Sequence, residues 1–269
     1  MAIGGSSGGF GAHEITFESF GVGVRLQAGT ADVLERATSV FPPGSRPSER
    51  RDVDFSFELK EVAPGSYDLV RDGEITVDDL SLDVAIWWLG RDLSDLVAVR
   101  AAEHVFVHAG AVAHEGKAIV LPGQTHAGKT TLVAALVRAG AVYLSDEFAP
   151  IDAEGMVHPY ARPLSIRDER SAQVDHDVAS LGGVAGVEPV RLGLVAVTSY
   201  REGAAWEPER ISPGDGVLAL MANAIPAQTR PEATLQALSR CVDGALVLRG
   251  DRGEADAVAP LMLAALDRD

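Results

Sequence analysis

The chain has 269 residues, 39 of them acidic and 23 basic, for a formal net charge of −16. Hydrophobic residues make up 46%, enough for a packed core, which excludes a wholly disordered chain. The acidity argues against nucleic acid as a partner, because the net field repels a phosphate backbone.

Residues 1–9 are rich in Gly and Ser and read as a flexible tail with neither the basic region nor the apolar core of a secretory signal. Strand-like stretches follow at 15–17 and 22–26, then a Pro/Gly turn cluster at 42–47. Residues 53–59 alternate apolar and polar side chains, as a half-buried strand does. Asp72-Gly73 marks a turn between short strands. From Asp78 to about Glu103 the pattern turns helical, with Leu82, Ala85, Ile86, Leu89, Leu93 and Val97 near a 3.6 period. Trp87 and Trp88 in this helix are expected in a core or domain contact. Residues 10–103 thus read as a small N-terminal α+β region.

The remainder, 104–269, reads as an α/β domain. Residues 105–112 and 117–121 are buried strands, and an apolar helix at 131–139 ends at Gly140. A short strand at 142–144 stops at Ser145-Asp146-Glu147. Further strands are expected at 190–198 and 245–248, and helices at 215–223, from Arg230-Pro231 onward, and at 256–266. Residues 249–254 form a polar glycine loop that connects a strand to the last helix or closes over a ligand. Cys241 falls on the apolar side of a helical pattern and is expected buried and inert. One cysteine makes no internal disulfide, in keeping with a cytoplasmic setting. No apolar run approaches the roughly 20 residues that span a bilayer, so no membrane partner is expected. No internal repeat is present.

Between the strand at 117–121 and the helix at 131–139 stands Gly123-Gln124-Thr125-His126-Ala127-Gly128-Lys129-Thr130, a full match to the P-loop pattern. Its glycines let backbone N–H groups converge on phosphate oxygens, and the next helix, opening with Thr131, points its positive end at them. Lys129 is expected to reach the β- and γ-phosphates of ATP, and the Thr130 hydroxyl to ligate Mg²⁺. The chain has only three lysines, Lys60, Lys117 and Lys129, so one within the motif is informative.

The stretch from His108 to about Arg167 resembles the catalytic domain of HPr kinase/phosphorylase, and still more the HPr-kinase-like P-loop proteins of bacteria. Three elements carry the resemblance: His108-Ala109-Gly110 on the strand before the loop, the loop itself, and the acidic pair Asp146-Glu147 after the next strand. It covers about 60 residues. It implies a P-loop kinase core, with Asp146 as base toward a substrate hydroxyl and His108 as helper beside the phosphates. Asp146 and Glu147 are also candidates to hold Mg²⁺. Possible homo-oligomers are implied too. Three positions depart from the family: His126 replaces a glycine, Glu147 an aspartate, and Ser165 the metal-side glutamate of a Glu-Ile-Arg-Gly segment, here Ser165-Ile166-Arg167-Asp168.

The expected activity is therefore transfer of the γ-phosphate of ATP to a serine-type hydroxyl of a protein, peptide or small molecule. The alternative is a nucleotide-binding regulatory module without transfer. A GTPase would need an Asn-Lys-x-Asp segment, which the sequence lacks. A zinc site at His104, His108 and His114 is disfavoured, since the first two lie roughly 13 Å apart along a strand. Arg162 and Arg167 are weighed equally as phosphate contacts and surface ion pairs.

Overall fold

The computed structural model describes residues 13–123, 128–167 and 173–266. The flexible-tail reading of residues 1–9, and residues 124–127 and 168, lie outside the described residues. The architecture is mixed α/β, and the chain divides into two compact units, Met1–Arg100 and Ala101–Asp269.

The first unit contains β1 (His13–Ser19), β2 (Val22–Ala28), α1 (Ala31–Ala37), β3 (Arg46–Pro47), β4 (Phe55–Ala63), β5 (Ser66–Arg71), β6 (Glu74–Leu80) and α2 (Leu82–Arg100). Its sheet runs β3-β1-β2-β4-β5-β6, with only β2 and β4 parallel. Alternation is the physical cause: Leu26, Phe57 and Leu59 are buried while their neighbours are more exposed. Leu89, Leu93 and Val97 bury one stripe of α2, and Arg71 on β5 pairs with Asp92 on α2 at 3.2 Å. Two expectations change here. Asp78 and Asp79 belong to β6 rather than to the helix, because Leu80 pairs with Tyr67 and the Asp79 N–H donates to Asp68. Trp87 is 55% exposed, edge-on to Trp88, so it is no core residue.

The second unit runs β7 (His104–His114), β8 (Lys117–Pro122), α3 (Lys129–Arg138), β9 (Val142–Ser145), β10 (Phe148–Asp152), β11 (Met156–Val157), β12 (Leu164–Arg167), β13 (Gln173–His176), β14 (Val190–Tyr200), β15 (Glu209–Arg210), α4 (Pro213–Met221), α5 (Pro231–Val242), β16 (Leu246–Arg252) and α6 (Ala255–Leu266). The main sheet is ordered β11-β10-β7-β8-β14-β16-β15, with β9 added on β7 and β12–β13 a separate hairpin. The centre, β8-β14-β16, is parallel. Buried on both faces, such strands read as continuous apolar runs, and Ala118, Ile119, Val120 and Leu121 are all buried.

Helices supply both covers. Leu132, Leu136, Val258 and Met262 of α3 and α6 pack on one face; Leu220, Leu238 and Cys241 of α4 and α5 pack on the other. Each fully buried Leu or Met adds about 2 kcal/mol of transfer free energy. Packing on the α3 face is tight: a Cβ on Gly110 would lie 2.6 Å from Val133 Cγ2. The unit leaves α3 with its first turn at the carboxyl end of β8, where ligands of parallel sheets bind. Among the described residues, no helix is long and apolar enough to cross a membrane.

Candidate functional site

The loop leaves β8 at Gly123, whose N–H donates to the His108 carbonyl at 3.2 Å. His108 sits on β7 opposite Phe148, and its ring lies 4.7 Å from the Phe148 ring. Gly110 faces α3, and His108, two residues earlier on the strand, shares that face. Gln124, Thr125, His126 and Ala127 lie outside the described residues. The loop closes at Gly128, the N-cap of α3, with φ 73° and ψ 21°. That left-handed backbone suits glycine, and a Cβ there would meet the Arg252 guanidinium at 2.6 Å. Arg252, only 3% exposed, donates from Nη2 to the Gly128 carbonyl at 3.0 Å and from Nη1 to Gly253 O at 3.2 Å. A buried cation therefore fixes the entry to α3.

Lys129 and Thr130 follow in the first helical turn, where the outward N–H groups and the helix dipole favour an anion. Burial pulls the Lys129 ammonium below its usual range, while Asp146 and Glu147 oppose the shift. Thr130 Oγ1 donates to Asp146 Oδ2 at 2.8 Å. The strand β9 carries Asp146 there: Ser145 pairs with Ala111 and the Ala109 N–H donates to Glu147 O, so the acid lies between two anchored residues. Burial raises the Asp146 carboxyl, against hydrogen bonds from Thr130 and Tyr143 and the charge of Lys129.

The Tyr143 hydroxyl lies 2.8 Å from Asp146 Oδ1 and 2.9 Å from the Arg162 carbonyl. One phenolic proton serves one acceptor at a time. When Asp146 is ionised it accepts the Tyr143 hydrogen bond; when it is protonated it donates to Tyr143, whose hydroxyl then donates to the Arg162 carbonyl. Burial and the Asp146 charge both push the phenol up, so it stays protonated. Glu147 pairs with Arg162 at 3.6 Å, both partly exposed. Arg162 is thus engaged with the second acid. Ser165 pairs with Asp175 in the β12–β13 hairpin.

The structure brings Gly128, Lys129, Thr130 and Asp146 to one helix start, with Glu147 beside Asp146 and His108 at the loop entrance. Thr131 lies exposed in the same first turn. Among the described residues, no three His, Cys, Asp or Glu side chains converge as metal ligands. The oxygens that do converge are those of Thr130 and Asp146. This donor set fits Mg²⁺, which takes few protein ligands and fills its shell with water and phosphate oxygens.

Two participants, Tyr143 and Arg252, carry no motif. Tyr143 reads as a core strand residue, and its hydroxyl meets Asp146 only through the bend after Ser145. Arg252 sits in what the sequence presents as a polar loop, yet β16 extends through it, pairing Arg252 with Tyr200.

No protein-family model matches the chain, and no curated protein matches it. Among solved structures, the chain is distantly similar to the HPr(Ser) kinase/phosphatase from Coxiella burnetii. The identity is 15% over 61% of this chain and 93% of that one, with a TM-score of 0.29.

Proposed function

We propose that the chain is an ATP-dependent phosphotransferase of P-loop kinase type, working on a hydroxyl of a protein, peptide or small molecule. The observation that carries the reading is the 2.8 Å bond between Thr130 and Asp146 at the start of α3, beside Lys129. Backbone N–H groups of the first turn bind phosphate oxygens, and Lys129 neutralises charge on the β- and γ-phosphates. Thr130 and Asp146 would hold Mg²⁺ together with the nucleotide. Bound Mg²⁺ supplies electrostatic stabilisation of the transferring phosphoryl group.

Asp146 is the base that takes the proton of the acceptor hydroxyl. Tyr143 orients the carboxylate. His108 lies at the loop entrance, where it assists beside the phosphates. Glu147, held by Arg162, adds negative charge beside Asp146. A cytoplasmic setting and assembly into homo-oligomers accompany this reading; nucleic acid and membrane do not.

A second reading, nucleotide binding without transfer, is favoured by one observation: both Asp146 oxygens are occupied by hydroxyls of the chain itself. The two readings part on ADP formation. With Mg²⁺·ATP and acceptor-containing host extract, the kinase forms ADP, and Lys129→Ala and Asp146→Asn each lower the rate at least 100-fold, about 2.7 kcal/mol of transition-state stabilisation. Tight ATP binding without ADP from any extract would establish the second reading.

A further inference from the structure

Beside the first turn of α3, on the side away from Asp146, lies a cavity of about 570 Å³. Its wall begins at Gly128 and Thr131 and continues through Ser199, Tyr200, Arg252 and Glu254. The site lies at the carboxyl ends of β14 and β16, parallel to β8, where ligands of parallel sheets sit. Its volume falls within the range of small-ligand pockets, roughly 300–1,000 Å³.

The wall is built as a platform. The Tyr200 hydroxyl donates to Glu254 Oε1 at 2.9 Å, which fixes the ring. The Arg252 guanidinium carbon lies 5.4 Å from the ring centroid. Tyr200 is nevertheless 53% exposed. Arg252 is buried, and its Nε has no acceptor among the described residues. The same guanidinium reaches the Gly128 carbonyl, so platform and phosphate loop are joined by one side chain.

We propose that this cavity holds the nucleoside of the nucleotide, with the base stacked on Tyr200. The inference rests on the phosphate reading above and adds the direction of the ligand. A phosphate chain at the start of α3 has two ways to run. The Asp146 side carries the acid that must meet the γ-phosphate and acceptor. The nucleoside therefore leaves past Thr131 into the cavity. There the aromatic face takes the base, and the second Glu254 oxygen and the hydroxyl of Thr198, on the same strand face as Tyr200, line the space for the sugar. Recognition through a ring face is tolerant of base identity, so ATP and GTP bind with similar affinity.

The test is calorimetric titration of the full chain with Mg²⁺·ATP, Mg²⁺·GTP and Mg²⁺·tripolyphosphate, which lacks a nucleoside. Wild type binds all three. Tyr200→Ala weakens ATP and GTP at least about 5-fold, the size of a lost base–aromatic stack, and leaves tripolyphosphate unchanged. Tyr200→Trp restores nucleotide affinity. Retained tripolyphosphate binding shows that the variant is folded. Equal ATP affinity in wild type and Tyr200→Ala, or an equal loss for ATP and tripolyphosphate, overturns the nucleoside assignment alone. Failure of wild type to bind either ATP or tripolyphosphate overturns the phosphate reading and this inference with it.

Discussion

At the residue scale, Gly128 shows how a motif position becomes a physical requirement. Its left-handed φ costs a non-glycine residue about 1–2 kcal/mol, and its missing Cβ makes room for Arg252. Gly128→Ala is therefore expected to lower the melting temperature and to weaken ATP binding together. An unchanged melt would mean that Arg252 does not pack there. Cys241 gives a second residue-level expectation. Burial first, then the Asp152 charge, pushes its thiol up to about 12. The native chain at pH 8 should resist a thiol reagent that labels the unfolded chain at once. Rapid labelling under native conditions would contradict the burial.

The loop and its lysine, Thr130 and the acid at Asp146 are legible at this scale, because glycine spacing and one carboxylate after a strand are short-range signals. Tyr143 and Arg252 are not. Their roles depend on a bend and on strand pairing across more than 50 residues, which no local pattern encodes.

At the element scale, α3 is held by its fit against β7. Gly110→Ala places a Cβ 2.6 Å from Val133 Cγ2, and the overpacking should cost about 1–3 kcal/mol. Adding Val133→Ala in the same chain should recover part of that loss, a coupling that denaturant melts of the double-mutant cycle would measure. Strict additivity would show that the two do not touch.

The ladder between β7 and β10 makes a pH prediction. His104 and Asp152 are register partners, and His158 lies 2.7 Å from Asp152. Burial, then the charge of His158, holds His104 below the usual imidazole range. Burial would raise Asp152, but the hydrogen bond from His158 and backbone N–H groups prevail and lower it. Both folded pKa values are depressed, so both contributions are present above the unfolded values and lost as pH falls. His104 acts from about pH 6.5 downward and Asp152 from about pH 3.9 downward. Melts between pH 7 and pH 5 should show a drop that His104→Gln makes smaller. An identical drop in the variant would remove His104 as its source.

Element boundaries follow the same logic. The helix over 129–138 starts two residues before the apolar periodicity, since Lys129 and Thr130 belong to the first turn despite being polar. The strand β10 is not announced by the sequence. Pro150 interrupts its pattern, and only pairing with β7 makes it a strand.

At the scale of the whole molecule, the mixed α/β class is legible from the strand–loop–helix–strand order of residues 117–145. The sheet order is not. It joins β8 to β14 and β16 over long stretches of chain, while β12–β13 stands apart. The charge of −16 acts on the whole fold as self-repulsion. Raising salt shortens the screening length from about 30 Å at 0.01 M to about 8 Å at 0.15 M. The melting temperature at pH 7 should rise over that interval. A fall would mean that favourable ion pairs outweigh the repulsion.

Phosphate transfer from ATP to a hydroxyl is followed with γ-labelled ATP. Wild type and Asp146→Asn are incubated with Mg²⁺ and host extract, separated afterwards into protein and small-molecule fractions. Label is expected to move into one fraction with wild type and to stay on ATP with the variant. Label that remains on ATP with both chains, while ATP is still bound through Lys129, would rule out the transfer.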